Sequence, residues 1–230
     1  TKKIAKTLQD HKLKTPIIYS SSTQAALENS YGSSKKFAED ALIQLSKTNG
    51  NLIYNYRLPN VFGKWCKPNY NSAVATFCYN IINDLPIRVD KAEAIVTLVY
   101  VDDVVNEFID VIKRDDPLEV LDTPNVDPSY QITVGELVNQ LTLFKQSRSS
   151  AIIEQVGVGL VRALYSTYIS YYTPSEFNYK LEKHEDPRGI FVEMLKTKNS
   201  GQFSFFTAHP GITRGGHYHH SKNEKFLVIR

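Results

Sequence analysis

A short stretch of this chain carries side chains that can do carbonyl chemistry. Ser20, Ser21 and Ser22 close the apolar run Pro16-Ile17-Ile18-Tyr19, and Tyr31 and Lys35 follow in Tyr31-Gly32-Ser33-Ser34-Lys35. A Tyr and a Lys four residues apart on a helix share one face. An ammonium beside a phenol favours the phenolate. Such a tyrosine can pass a proton to a carbonyl oxygen while hydride reaches the carbon, and the lysine can also grip a nicotinamide ribose. A serine hydroxyl near the same oxygen would orient it and stabilise developing charge. A second cluster, His217, His219 and Glu224, lies near the other end. Residues two apart on a strand point the same way, so the two imidazoles would share a face and His220 would turn from it. With Glu224 returning after a turn, they form a partial donor set for zinc or another divalent transition metal.

Spacing alone is weak evidence for the first cluster. With 14 Tyr and 19 Lys in 230 residues, about one Tyr-x-x-x-Lys match is expected by chance. The matches include Tyr31/Lys35 and Tyr179/Lys183. Context selects the first, because a buried strand and a hydroxyl cluster precede it; the second is expected to be a surface coincidence. The plain alternatives are an aromatic packed at a helix start for Tyr31 and turn or cap hydroxyls for Ser20 to Ser22. For the histidines the alternative is a polar hairpin.

The elements that must position these groups can be read from periodicity. Ile4, Ala5 and Leu8 predict a helix over Thr1 to Leu13. Pro16 to Tyr19 has the continuous β-branched character of a parallel strand buried on both faces. Tyr31 to Lys47 reads as a helix with a stripe of Phe37, Ala38, Ala41, Leu42 and Leu45, stopped at Gly50. Asn51 to Arg57 alternates as a strand. Ser72 to Asp84 is helical through Val74, Phe77, Cys78, Ile81 and Ile82. Ile95 to Val101 is a strand, with Asp102 the expected N-cap of the next helix; Val120-Leu121 suggests a short further strand. Thr133 and Glu136 spell a capping box. From Thr173 onward short strands alternate with the turns Pro187-Arg188-Gly189, Asn199-Ser200-Gly201, Pro210-Gly211 and Gly215-Gly216, as in an all-β sandwich or barrel. The expected domains are therefore 1–172 and 173–230.

Bulk properties narrow the function classes. The net charge is +3, 42% of residues are hydrophobic and 22% are charged, as in a soluble globular protein. No dense Lys/Arg run occurs, which argues against a nucleic-acid partner. The two cysteines, Cys66 and Cys78, make no CxxC motif or disulfide scaffold, and Cys78 is expected as a buried thiol. The apolar stretch Ala151 to Tyr172 contains Glu154 and Arg162, so a packed helix is expected rather than a membrane span. A cytoplasmic protein is the expectation. The chain opens Thr-Lys-Lys and its one methionine is Met194; both ends are expected to be cuts through a longer protein.

Tyr19-Ser-Ser-Ser-Thr, YGSSK, Arg57-Leu-Pro-Asn-Val-Phe-Gly63 and Leu98-Val-Tyr-Val-Asp-Asp-Val104, in that order, resemble the extended short-chain dehydrogenase/reductases that act on nucleotide sugars. The resemblance implies a Rossmann-type doubly wound parallel α/β sheet. It assigns Ser22, Tyr31 and Lys35 to catalysis, Lys35 and Tyr31 with Pro59, Asn60 and Val61 to the nicotinamide pocket, and Asn60 and Arg88 to the substrate, with Asp102 and Asp103 structural. The family's glycine-rich phosphate loop is not in these 230 residues, and the Ser22-to-Tyr31 connection is short for the family.

Gly211-x5-His217-x-His219-x4-Glu224 resembles the first cupin motif, with His217, His219 and Glu224 as metal ligands. Asp186-Pro-Arg188-Gly189-Ile-Phe-Val-Glu193 and Arg214-Gly-Gly-His217-Tyr resemble the dTDP-sugar 3,5-epimerases, themselves cupins. There the residues matching Arg188 and Arg214 bind nucleotide-sugar phosphate and the one matching His217 is the proton-abstracting base. His217 is thus open to two roles. An extended reductase joined to a cupin is similar to the bifunctional capsular polysaccharide synthesis enzymes. That implies C3 epimerisation of a UDP-4-keto-6-deoxy-hexosamine by the cupin, C4 reduction with NADPH by the reductase domain, a UDP-N-acetyl-L-fucosamine product, zinc and a homodimer. The alternatives are a single-activity UDP-4-keto-sugar reductase with a structural cupin and a non-enzymatic metal- or sugar-binding scaffold.

Overall fold

The computed structural model describes residues 1–114, 124–216 and 218–229. The chain divides into two compact units, Thr1–Lys145 with Glu154–Phe177, and Gln146–Ile153 with Asn178–Arg230. The second therefore includes a segment that precedes residue 172.

The first unit opens with α1 (Lys2–Asp10), β1 (Ile17–Ser22), a 3-10 turn at Thr23–Ala26, and α2 (Ser30–Asn49). β2 (Ile53–Leu58) then pairs parallel with β1, from Ile17 opposite Ile53 to Ser22 opposite Leu58. β2 does not alternate in burial as its sequence suggests: Ile53, Tyr54, Asn55 and Tyr56 are all buried, as in a strand covered on both faces. α2 ends at Gly50, whose left-handed φ of 78° lets its N–H reach the Ser46 carbonyl at 2.9 Å. The apolar stripe expected on α2 is corrected in one respect. Its buried face is Gly32, Glu39, Leu42 and Leu45, whereas Phe37 is 65% exposed with the Lys2 ammonium 5.2 Å from its ring. Phe37 is out of phase with Leu42 and Leu45 at 3.6 residues per turn.

Pro59 has no N–H to give a ladder, and beyond it β3 (Asn60–Phe62) pairs parallel with β4 (Ile95–Tyr100) instead. β5 (Ser129–Thr133) is antiparallel to β4. Its five residues were not anticipated, because Tyr130 and Ile132 are too brief an alternation before the capping box. That box forms as expected: Glu136 N–H donates to Thr133 Oγ1 at 3.1 Å and Thr133 N–H to Glu136 Oε2 at 2.9 Å. It starts α5 (Val134–Ser150). α3 (Ala73–Ile82), capped by Ser72, buries Val74, Phe77, Cys78, Ile81 and Ile82. Burial raises the Cys78 thiol pKa. α4 (Val101–Lys113) corrects the expected cap: Tyr100 is the N-cap residue, and Asp102 and Asp103 lie inside the first turn, where negative charge meets the positive end of the helix dipole. The expected strand at Val120-Leu121 lies outside the described residues.

The apolar stretch after residue 151 yields α6 (Gly159–Ile169), which buries Ala163, Leu164, Thr167 and Tyr168. No helix among the described residues is long and apolar enough to cross a membrane. The main core gathers Phe62, Phe77, Cys78, Leu98, Leu141 and Leu164; a second cluster holds Tyr56, Val99 and Val104. Adjacent strand residues point to opposite faces, so Leu98 and Val99 of β4 serve different clusters.

The second unit is antiparallel: β6 (His184–Asp186), β7 (Gly189–Lys196) and β8 (Gln202–Phe206). Pro187-Arg188 and Asn199–Gly201 make the turns between them, where Pro and Gly predicted turns. Gly189 has φ of +136°, and a Cβ there would collide with the Thr207 carbonyl. The architecture is thus a Rossmann-type α/β fold followed by antiparallel β-structure.

Candidate functional site

The end of β1 and the start of α2 hold the hydroxyl, phenol and ammonium groups. Ser22 closes β1, and its hydroxyl accepts the Gln24 N–H at 3.2 Å, turning the chain into the 3-10 segment. Asn29 then starts α2 by accepting the Gly32 N–H on its side-chain oxygen at 2.7 Å. Gly32 is buried against that turn; a Cβ would collide with the Gln24 carbonyl and stand 2.7 Å from the Leu27 carbonyl oxygen. Tyr31 is 52% exposed.

Lys35 joins helix to strand. Its ammonium donates to the Ser20 carbonyl at 3.0 Å and lies 5.7 Å from the Tyr31 ring centre and 5.4 Å from that of Tyr19. The structure therefore brings Tyr31 and Lys35 together near the carboxyl end of β1, two residues short of Ser22 at the Ser20 carbonyl. Ligands bind at that end of the strands in open α/β sheets. Burial, with the charges of Glu39 and Tyr31 adding to it, raises the Tyr19 phenol, so Tyr19 stays neutral beside the ammonium.

One turn below Lys35 lies a network that the sequence reading passed over. Glu39 is 1% exposed. It accepts from Ser21 Oγ at 2.5 Å and from Arg57 through a fork, Nε at 3.0 Å and Nη2 at 2.7 Å. Burial alone would push Glu39 up. The hydrogen bonds from Arg57, Ser21 and Asn55, together with the guanidinium charge, outweigh it and hold Glu39 at about 2. The one sequence signal was spacing, since Tyr31, Lys35 and Glu39 stand at i, i+4 and i+8.

The segment after β2 carries the residues expected at the nicotinamide pocket, on a strand that pairs with β4. Pro59 and Val61 are half-buried and Asn60 is exposed, its Nδ2 held by the Thr97 carbonyl at 3.0 Å. Lys64 pairs with Asp102 at 2.9 Å. Burial raises Asp103 while Arg162 pulls it down. Arg88 is not drawn into a pocket: its side chain is 88% exposed and paired with Asp90 at 2.7 Å.

In the second unit, Asp186 gathers two of the expected arginines. Arg188 reaches Asp186 Oδ2 at 2.6 Å, and Arg214 Nη2 stands 3.9 Å from Oδ1, its guanidinium stacked 5.4 Å over the Phe206 ring. Arg214 Nε is buried without a hydrogen-bond partner among the described residues. His219 Nε2 lies 3.4 Å from Glu224 Oε1, a nitrogen and an oxygen donor of the kind zinc accepts. His217 lies outside the described residues. The expectation that these residues lie on a strand is corrected: Tyr218 and His219 are in no strand. Gly215 and Gly216, with φ of 116° and 83°, keep the chain before them out of extended geometry. Among the described residues no three His, Cys, Asp or Glu side chains form a metal-sized group. Tyr179 and Lys183 are in no helix, so their spacing puts them on no common face.

Residues 11–125 match the NAD dependent epimerase/dehydratase family, and residues 184–230 match the polysaccharide biosynthesis C-terminal domain. Over 215 residues the chain is 58% identical to UDP-2-acetamido-2,6-beta-L-arabino-hexul-4-ose reductase of Pseudomonas aeruginosa, covering 94% of this chain and 57% of that protein. It superposes on the capsular polysaccharide assembling protein CapF of Staphylococcus aureus with a TM-score of 0.86 and 42% identity, covering 95% of this chain and 59% of that one. A UDP-glucuronic acid 4-epimerase of Bacillus cereus in complex with NAD shares the fold, with a TM-score of 0.60 at 15% identity over 74% of this chain and 65% of that one. The chain spans less than two thirds of the length of each of these proteins.

Proposed function

The chain belongs to the NAD dependent epimerase/dehydratase family, and from that premise we propose that it carries the reductive centre of a nucleotide-sugar reductase/epimerase of capsular polysaccharide synthesis. The substrate is a UDP-4-keto-6-deoxy-hexosamine and the end product UDP-N-acetyl-L-fucosamine. The observation that carries this reading is the Lys35 ammonium, fixed on the Ser20 carbonyl and close to both Tyr31 and Tyr19. A tyrosine half open to solvent beside a fixed cation can give a proton and be stabilised as it does so.

Reduction needs a hydride at C4 and a proton at its oxygen. NADPH, when bound, supplies the hydride. Tyr31 delivers the proton to the C4 oxygen, Ser22 orients that oxygen, and Lys35 holds the nicotinamide ribose while keeping positive charge beside the phenol. Pro59, Asn60 and Val61 line the nicotinamide pocket, Asn60 also facing the sugar. Arg88 exchanges Asp90 for the substrate diphosphate. The residues present suit such a cofactor, since the ammonium and phenol lie at the ligand-binding end of the strands.

In the second unit Arg188 and Arg214 hold the diphosphate during C3 epimerisation, on a cupin scaffold. C3 lies α to the C4 ketone, so its proton is acidic enough for a histidine base; it leaves from one face and returns on the other. His217, His219 and Glu224 are the proposed zinc ligands. His217 is also the candidate base, and the metal content of His217→Ala separates these roles. The reading includes a cytoplasmic location and a homodimer, the second of which sedimentation of the full-length protein checks.

The test is NADPH oxidation by the full-length protein with the UDP-4-keto sugar. Tyr31→Phe should slow it by about a hundredfold or more, while hydrogen exchange at C3 in deuterated water continues. Turnover unaffected by Tyr31→Phe would sink the reading.

A further inference from the structure

The Ser21–Glu39–Arg57 network lies below the reacting groups and touches none of them, yet it spans every element that carries them. Glu39 is on α2 one turn beyond Lys35 and two beyond Tyr31. Ser21 is on β1, between the Ser20 carbonyl that receives Lys35 and the Ser22 hydroxyl. Arg57 is on β2 and is the ladder partner of Ser21. One carboxylate thus receives a hydroxyl from the strand bearing Ser22 at 2.5 Å and a two-point guanidinium grip from the neighbouring strand at 3.0 and 2.7 Å. Asn55 of β2 faces it as well.

Stability alone does not account for such a device. A buried ion pair is often no more stabilising than apolar side chains of the same volume. Apolar neighbours are at hand on the same helix, with Leu42 2% and Leu45 3% exposed. What the ion pair supplies is direction. A bidentate guanidinium and a short hydroxyl bond fix the carboxylate in distance and in plane, a directional constraint that apolar contacts do not supply. Catalytic groups have to be held within a fraction of an ångström, and groups behind them commonly do the holding.

We propose that Glu39, locked by Ser21 and Arg57, is the positioning residue that sets Tyr31 on α2 against Ser22 on β1. The proposal rests on Tyr31 being the proton donor. Glu39 acts through Tyr31 and contacts no substrate. Lys36, whose ammonium is 3.9 Å from Glu39 and 2.9 Å from Asp40, adds charge at the outer edge without fixing the geometry.

The experiment is steady-state reduction of the UDP-4-keto sugar by the full-length protein, run below the thermal transition of every variant. Ser21→Ala removes one hydroxyl and should lower kcat about fivefold with KM for the nucleotide sugar unchanged. Glu39→Gln should lower kcat at least tenfold. The deciding measurement is Ser21→Ala combined with Tyr31→Phe. If Ser21 and Glu39 act by placing Tyr31, the double variant is no slower than Tyr31→Phe alone, since coupled residues lose additivity. A full fivefold further loss on the Tyr31→Phe background would overturn the proposal, as would unchanged kcat in both single variants. A change confined to KM would do the same. Failure of the underlying reductase reading is distinct, because Tyr31→Phe would then be as fast as the parent protein.

Discussion

The β1–α2 corner and the segment from Arg214 to Glu224 both bring chemically able side chains together, but by different means. In the first, every such group sits on a helix or strand, and its neighbours come from the same parallel pair and the helix between them. In the second, His219 and Glu224 meet across 3.4 Å on chain that belongs to no helix or strand. Charge tells the same story. Glu39 is sealed in and gripped from three sides, whereas Asp186, the hub of the arginine cluster, has a side chain 39% exposed. One region is held on a helix and two paired strands; in the other, His219 and Glu224 lie on irregular chain that meets the strands through Arg214, at Asp186 and Phe206.

The largest test of that contrast is kinetic. Lys35→Ala should cut hydride transfer about a hundredfold by removing the fixed cation beside Tyr31, while His219→Ala leaves hydride transfer within twofold. Stopped-flow nicotinamide absorbance on a pre-formed substrate reads both; equal losses would mean the two regions are one machine. A glycine pair probes the scaffolds next. Gly32→Ala drives a methyl group into the Gln24 and Leu27 carbonyls and should cost about 3 kcal/mol in urea unfolding. Gly216→Ala, with φ of 83° and open space around it, should cost about 1 kcal/mol through its left-handed backbone alone.

The third test uses acid. Glu39 is held at about 2 against an ordinary 4.5, so the folded state binds its proton more weakly than the unfolded one. Its contribution is complete above pH 4.5 and is lost as pH falls towards 2. The urea midpoint should decline over that window, and less steeply in Glu39→Gln. Hydrogen bonds from Arg188 also lower Asp186, but Asp186 is open to water and screened, so Asp186→Asn should leave the acid limb nearly unchanged. The smallest effect belongs to Arg88→Ala. An exposed pair such as Arg88–Asp90 contributes under about 0.5 kcal/mol to stability, and a rise in KM for the nucleotide sugar with an unmoved melting temperature would assign the guanidinium to substrate.

Much of the scaffold was legible because it is written in period and punctuation. The apolar spacing of α3, the Thr133–Glu136 box, the stop at Gly50 and the turns at Pro187 and Asn199 are local signals that the fold did not override. The Tyr31 and Lys35 pairing was legible for the same reason, being a spacing on one helix. What hydrophobic patterning could not reveal was a charge on the buried face. Glu39 reads as polar and therefore outward, and only the meeting of β1 and β2 supplies the hydroxyl and guanidinium that let it turn inward. Phe37 is the mirror case, an apolar residue at the wrong phase. Asp102 was misassigned as a cap because β4 runs one residue shorter than its apolar sequence.

The ladder partnership of Ser21 with Arg57 also bears on how the chain finds its fold. A one-residue slip between two strands reverses which face every side chain meets. Slipping β1 against β2 would swing Ser21 away from α2 and present Tyr19-side or Ser22-side chemistry at the wrong level. Glu39 would then be entombed with half of its donors, an arrangement far costlier than a mismatched apolar contact. The carboxylate therefore favours one strand registry, because the register that pairs Ser21 with Arg57 is the one that supplies both of its donors.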